Sequence, residues 1–99
     1  MEVTILNGDQ TIIKVSGRLD TVNAPLFGEK IAPVTESMKD VVVDCNELEY
    51  VASSGLRQLL TLQKMANQKK AKLVFRSVKP DIKNIFDMTG FASMFNLED

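Results

Sequence analysis

Val41-Val42-Val43 is an apolar run with no alternation, and a strand of that kind sits inside a parallel sheet, covered on both faces. The run therefore predicts a central strand. Parallel neighbours cannot be joined by tight turns and need helical crossovers, and the flanking sequence offers two. On one side Phe27, Ile31, Val34 and Met38 recur at a spacing that lines a single face of a first helix. On the other, Leu56, Leu59, Leu60, Leu62, Met65 and Ala66 form a wide apolar stripe. This stripe predicts a helix over about 54–67, with Gln58, Gln63 and Lys64 left for solvent. Leu73-Val74-Phe75, within Lys72 to Arg76, reads as a second buried strand. The stretch from Asp44 to Ser53, which carries Leu48, Tyr50 and Val51, reads as a loop.

Met1 to Leu6 and Thr11 to Ser16 are rich in β formers and flank Asn7-Gly8-Asp9, residues that tolerate positive φ. They predict an antiparallel hairpin, with Ile13 and Val15 on one face and Lys14 and Ser16 on the other. Asp20, Thr21 and Asn23 are candidate N-caps for the first helix, and Pro25 suits its first turn. Pro33 must kink that helix or end its regular part. Pro80 and Gly90 bracket a short helix with Ile82, Ile85 and Phe86 inward. Phe91 to Leu97 is apolar enough to pack back as a final strand and turn. The order β, β, α, β, α, β, α, β is an α/β pattern, with an antiparallel hairpin feeding right-handed crossovers. It predicts one domain over 1–99 with a mixed, mainly parallel sheet of four to five strands and three to four helices.

Composition narrows the function. Twelve basic against thirteen acidic residues leave a net charge of -1, so no global field draws nucleic acid. Lys69, Lys70 and Lys72 fall where a helix should end, where cations complement the carbonyl end of its dipole. No segment reaches the roughly 20 apolar residues of a membrane helix, and Met1-Glu2-Val3-Thr4-Ile5 lacks the basic and apolar parts of a signal peptide. These features point to the cytoplasm and to no membrane contact. The single cysteine, Cys45, reads as a small buried hydrophobe at a strand end. The chain has no histidine, which removes Ser-His-Asp and Cys-His catalysis and His-containing zinc sites together. Asp44, Glu47 and Glu49 lack the spacing of a calcium loop and read as solvated.

Val51-Ala52-Ser53-Ser54-Gly55-Leu56-Arg57 places two hydroxyls at a helix N-terminus. Unpartnered N–H groups and the helix dipole make such a place receptive to an anion. The plain reading is an N-cap, for which one serine suffices. A phosphoacceptor is the sharper one, since a phosphate adds about -1.5 to -2 charges there. A nucleophilic serine lacks both the Gly-x-Ser-x-Gly elbow and a histidine base.

On Gly17-Arg18-Leu19-Asp20, Val41-Val42-Val43-Asp44 with Leu48 and Tyr50-Val51, Ser53-Ser54-Gly55-Leu56-Arg57 and Thr89-Gly90-Phe91, the chain resembles the STAS domains of anti-sigma factor antagonists. The resemblance covers essentially its whole length. It implies that Ser54 is phosphorylated by an anti-sigma factor that is also a serine kinase, and that a PP2C-type phosphatase reverses this. It implies that the unphosphorylated form binds the anti-sigma factor, frees a sigma factor and releases its partner once phosphorylated, and that Asp20 takes part in the switch. The expected contact surface joins Asp20 and Thr21 to Ser53, Gly55, Leu56 and Arg57, with hydrophobic docking around Leu56. The protein itself needs no cofactor or metal, is not an enzyme, and is a monomer when free. Ala52 stands where the family often has Asp or Ser, which favours an alternative: a constitutive STAS subunit of a sensor or transport complex. A nucleotide or anion sensor using the same helix end is a further alternative.

Overall fold

In a computed structural model that describes residues 1–98, one five-stranded sheet carries three α-helices. β1 (Glu2–Leu6) and β2 (Thr11–Leu19) form the expected antiparallel hairpin. α1 (Ala24–Glu36), β3 (Val41–Val51), α2 (Ser53–Gln68), β4 (Leu73–Arg76), α3 (Pro80–Thr89) and β5 (Asn96–Glu98) follow, with a short 3-10 turn at Phe91–Ser93 before the last strand. Strands 2 to 5 are parallel, and the spatial order is sequential, β1-β2-β3-β4-β5.

That order has a geometric consequence. Every crossover steps the same way across the sheet, and right-handed crossovers that step one way put all their helices on one face. A single core results: Phe27 and Ile31 from α1, Leu59 and Leu62 from α2 and Ile82 and Phe86 from α3 meet Ile13, Val43 and Phe75 of the sheet. Fully burying each such side chain contributes about 1.5–3 kcal/mol. Phe75, Phe86 and Phe95 close one end of the core, with ring centroids 4.5 to 6.2 Å apart.

The valine run is central, as expected, but helices cover it on one face only. Val41 and Val43 point into the core, whereas Val42 points to the open face. There it is flanked in register by Ile12 and Val74 and is shielded by its neighbours instead of by a helix layer. The next rung on that face is Thr4, Lys14, Asp44, Arg76 and Glu98. Its charges alternate, and Arg76 pairs with Asp44 at 3.7 Å, which suits a sheet face left to water.

Three local expectations are corrected. The stretch from Asp44 to Val51 is strand and not loop, because β3 continues without a break alongside β2. Lys14 pairs with Asp44 but Ser16 with Glu47, and Gly17 pairs with Leu48 but Arg18 with Tyr50. Each shift inserts one extra residue into β3, as in a β-bulge. Cys45 is accordingly buried in mid-strand and not at a strand end. Gln63 is buried, not solvated, because it lies one turn from Leu59 and Ala66 on the inner face of α2. Its Nε2 donates to Asn67 Oδ1 at 3.0 Å, while its Oε1 has no partner among the described residues. At Pro33, where the sequence left a kink or an end open, the second is excluded, since α1 runs on to Glu36 with the proline on its exposed side.

One residue of the lysine cluster has a definite task. Lys69 follows α2 directly, and its Nζ donates to the carbonyl of Glu36, the last residue of α1, at 2.8 Å. A cation thus meets the negative dipole end of the neighbouring helix.

Candidate functional site

The carboxyl ends of β2 and β3 lie side by side, with Arg18 opposite Tyr50 and Leu19 opposite Val51. Both strands hand over to helices there, so the N-termini of α1 and α2 share one end of the molecule. Two contacts tie the handovers together. Ala52 N–H donates to the Leu19 carbonyl at 2.9 Å, and Gly55 sits so close that an added Cβ would lie 2.6 Å from that same oxygen. The serine-glycine motif therefore needs its glycine for close approach, since no other residue lets α2 start against the end of β2.

This approach brings Ser54 to the β2–α1 turn. Its Oγ donates to Thr21 Oγ1 at 3.2 Å, an exposed hydrogen bond between residues 33 positions apart. Neither serine caps the helix. The N-cap is Ala52, in extended conformation, and it makes no side-chain cap hydrogen bond. The N-cap expectation for the pair is thus corrected, and both hydroxyls are free for other work. Ser53 is exposed and Ser54 half-buried.

Asp20 shapes the turn. Its Oδ1 accepts from Asn23 N–H at 3.0 Å and its carbonyl accepts from Ala24 N–H at 2.9 Å, while Asn23 Nδ2 donates to the Arg18 carbonyl at 3.0 Å. Asn23 occupies the N-cap of α1 without a side-chain cap bond. The turn that results holds Thr21 and Val22 outward, both exposed.

The structure brings Thr21 and Ser54 into contact, with Asp20, Ser53 and Arg57 beside them in the chain. It corrects the role of two other expected residues. Leu56 is only 3% exposed and Gly55 is buried, so neither offers a docking surface and both act by positioning α2. The exposed apolar groups at this end are different ones: Val22 at 85%, Leu26 at 42% and Tyr50 at 37%. Arg18 lies over the Tyr50 ring, 4.3 Å from its centroid, in cation–π geometry. A signal for Leu26 existed in the sequence: it falls off the Phe27, Ile31, Val34 stripe, so helical periodicity leaves it without a buried face, whereas Val22 precedes the helix and carries no such signal. Tyr50 was hidden by the reading of its segment as a loop.

Cys45 is remote from this chemistry. Burial, and then the charge of Asp44, push its thiol up to about 12 from an ordinary 9.0, so it is an inert core residue. Among the described residues no group of His, Cys, Asp and Glu side chains could hold a metal ion. No described helix is long and apolar enough to cross a membrane. Nor does the sequential strand order contain the reversal at which open α/β sheets form a ligand crevice, so the nucleotide-sensor reading draws no support from the topology.

Comparison with known proteins is consistent in kind. The model of the STAS domain matches residues 1–99. BtrV of Bordetella bronchiseptica, a candidate anti-sigma factor antagonist, is 33% identical over 97 residues, 96% of this chain and 84% of the relative. The anti-sigma-B factor antagonist of Staphylococcus epidermidis is 30% identical over 97 residues, 97% of this chain and 90% of the relative. Among solved structures, the anti-sigma factor antagonist SpoIIAA in its unphosphorylated form matches with a TM-score of 0.75 at 14% identity, over 99% of this chain and 86% of its own. The same Bacillus protein in its phosphorylated form gives 0.73 at 14% identity, over 97% and 88%.

Proposed function

From the premise that this chain belongs to the STAS domain family, we propose that it is an anti-sigma factor antagonist whose binding is switched by phosphorylation of Ser54. The observation that carries this is the hydroxyl of Ser54 at the surface, on the first turn of α2, bonded to a side chain of the β2–α1 turn and not used as a cap. A group so placed can gain charge without any loss to the core.

In this reading an anti-sigma factor with serine kinase activity docks on the end of the molecule where α1 and α2 begin. Val22, Leu26 and Tyr50 supply apolar contact area, and Thr21, Ser53, Ser54 and Arg57 supply the polar part. Unphosphorylated, the protein occupies the anti-sigma factor and a sigma factor is released. In the transfer step the Ser54 oxygen bonds to the γ-phosphorus of ATP as the bond to the bridging β–γ oxygen breaks. ADP leaves, and the hydroxyl proton passes to a base on the kinase. The new dianion must then be desolvated for docking to persist, next to apolar groups that gain nothing from it, and the complex dissociates. A PP2C-type phosphatase restores the hydroxyl by hydrolysis. The protein's part is regulatory and not catalytic, and it acts in the cytoplasm, free of nucleic acid. The two SpoIIAA structures support the reading, since a protein of the same fold has been obtained both with and without its phosphate.

Calorimetric titration of the anti-sigma factor tests it. Ser54→Ala should bind like the unmodified protein, and Ser54→Asp should bind at least tenfold more weakly, a difference of about 1.4 kcal/mol. Equal affinities would remove the switch.

Ala52 favours a second reading, a constitutive interaction subunit, because the residue before the pair offers a kinase no polar group. Mass spectrometry after incubation with the kinase and ATP separates the two: an unmodified Ser54 selects the constitutive form.

A further inference from the structure

We propose that Thr21 is a reversible clasp for residue 54, accepting a hydrogen bond from the serine and donating one to the phosphoserine, and that it thereby holds the phosphate in its dianionic state. This rests on the phosphorylation reading above and specifies how that site is regulated.

The argument starts from donor and acceptor count. A hydroxyl carries one proton and two lone pairs. Ser54 Oγ lies 3.2 Å from Thr21 Oγ1, within reach to donate its proton there, and in that arrangement the Thr21 proton is uncommitted to Ser54. Phosphorylation removes the Ser54 proton and substitutes oxygens that only accept. The bond seen here can then no longer form in its present direction. Among the described residues Thr21 is the one hydrogen-bond partner of the Ser54 hydroxyl, and rotation about its Cα–Cβ and C–O bonds can turn its proton toward the phosphate. The contact survives with its polarity reversed, and it becomes a charge-assisted bond, stronger than the neutral one it replaces.

The placement of Thr21 is enforced from two sides. The Asp20 carboxylate and the Asn23 amide fix the turn that presents it, and Gly55 sets the approach of α2. Thr21 is itself exposed, so nothing in the core depends on its hydroxyl.

The charged groups nearest in the chain to this junction are Arg57, three residues along the same helix, Asp20 on the turn, and Arg18 at the end of β2, which is held over Tyr50. Arg57 and the open N-terminus of α2 favour the dianion, and Asp20 opposes it. Donation by Thr21 adds to the first group, because a hydrogen bond to the charged form lowers the pKa. A phosphoserine ordinarily loses its second proton near pH 6, close enough to neutrality for such a shift to alter its charge in the cell.

The test uses the full chain with phosphoserine installed genetically at position 54, which requires no kinase. Its ³¹P resonance is titrated from pH 4 to 9, in the parent and in Thr21→Val and Thr21→Ser. Thr21→Val should raise the second pKa by about 0.5, and Thr21→Ser, which keeps the hydroxyl, should return it to the parent value. Superimposable curves for Thr21→Val and the parent would overturn the clasp, as would a rise in Thr21→Ser equal to that in Thr21→Val. Thr21→Ala replaces the valine variant if its amide spectrum departs from the parent fold. Failure here leaves the switch standing. Failure of a kinase to modify Ser54 removes the switch but does not alter this titration.

Discussion

A methyl group at residue 55 has nowhere to go: it would meet the Leu19 carbonyl oxygen at 2.6 Å and Leu19 Cγ at 2.7 Å, with Val51 Cγ1 at 3.2 Å. All three atoms belong to strand residues, and the oxygen already accepts from Ala52, so relief requires α2 to move off the sheet. Overpacking of this kind costs about 1–3 kcal/mol, against which alanine returns up to about 1 in helix propensity. Gly55→Ala should therefore lower stability by about 1–2 kcal/mol in urea denaturation, and should lengthen the Ser54–Thr21 contact. An unchanged urea midpoint would show that close approach is not what the glycine provides. The sequence makes Ser54 and Gly55 visible as a pair, but it cannot tell a serine that caps from one that does not. That distinction lies in the extended backbone of Ala52 and in Thr21, 33 residues away. Cys45 offers a second test at this scale. Its folded thiol is raised to about 12 from 9.0, so the folded state holds its proton where the unfolded chain has lost it. The resulting stability is complete below about pH 9 and falls as pH rises from there toward 12. Between pH 8 and 10 the parent should lose about 1.4 kcal/mol more than Cys45→Ala does, and parallel pH profiles for the two would contradict the assignment.

The hairpin and the three helices were legible because each has an unbroken period and recognisable punctuation, and Gly90 illustrates it: it ends α3 at φ 80, where glycine is favoured. β3 was legible only in its first half. Its buried residues run Val43, Cys45, Leu48, Val51, so the period changes from two to three, and a spacing of three suggests neither a strand nor a clean helix. The cause is pairing with β2: nine residues there span eleven in β3 through two extra residues. A bulge depends on the partner strand and leaves no mark on its own sequence. Pro33 is the converse case, a strong local signal that tertiary context overrides. On the exposed side of α1 it forfeits an intrahelical hydrogen bond and displaces a carbonyl that water can reach. Pro33→Ala should restore the bond and stabilise the protein by about 1–2 kcal/mol after allowance for the looser unfolded chain. The melting temperature should rise by roughly 5–10 °C, and a fall would mean that α1 needs its proline.

Taken whole, the molecule keeps what holds it together apart from what its partner meets. The one-way order of the strands places three helices on a single face and concentrates the apolar side chains there, while the junction of Thr21 and Ser54 lies outside that layer, at the ends of two strands. Charge at the junction and volume in the core should therefore have separable effects, and Ser54→Asp and Phe95→Ala are the pair that asks the question. Phe95 is buried between Phe75 and Phe86, with centroids 4.5 and 5.2 Å away, and it leads the chain into the last strand. Its truncation should cost about 3–5 kcal/mol, yet at temperatures where the variant is folded it should still bind the anti-sigma factor like the parent. Ser54→Asp should do the opposite, staying within about 0.5 kcal/mol of parental stability, as expected for a surface change, while losing affinity at least tenfold. If Ser54→Asp instead unfolds as readily as Phe95→Ala, its loss of binding would report a damaged fold and not a charge met at the interface, and the basis for a phosphate switch at this position would be gone.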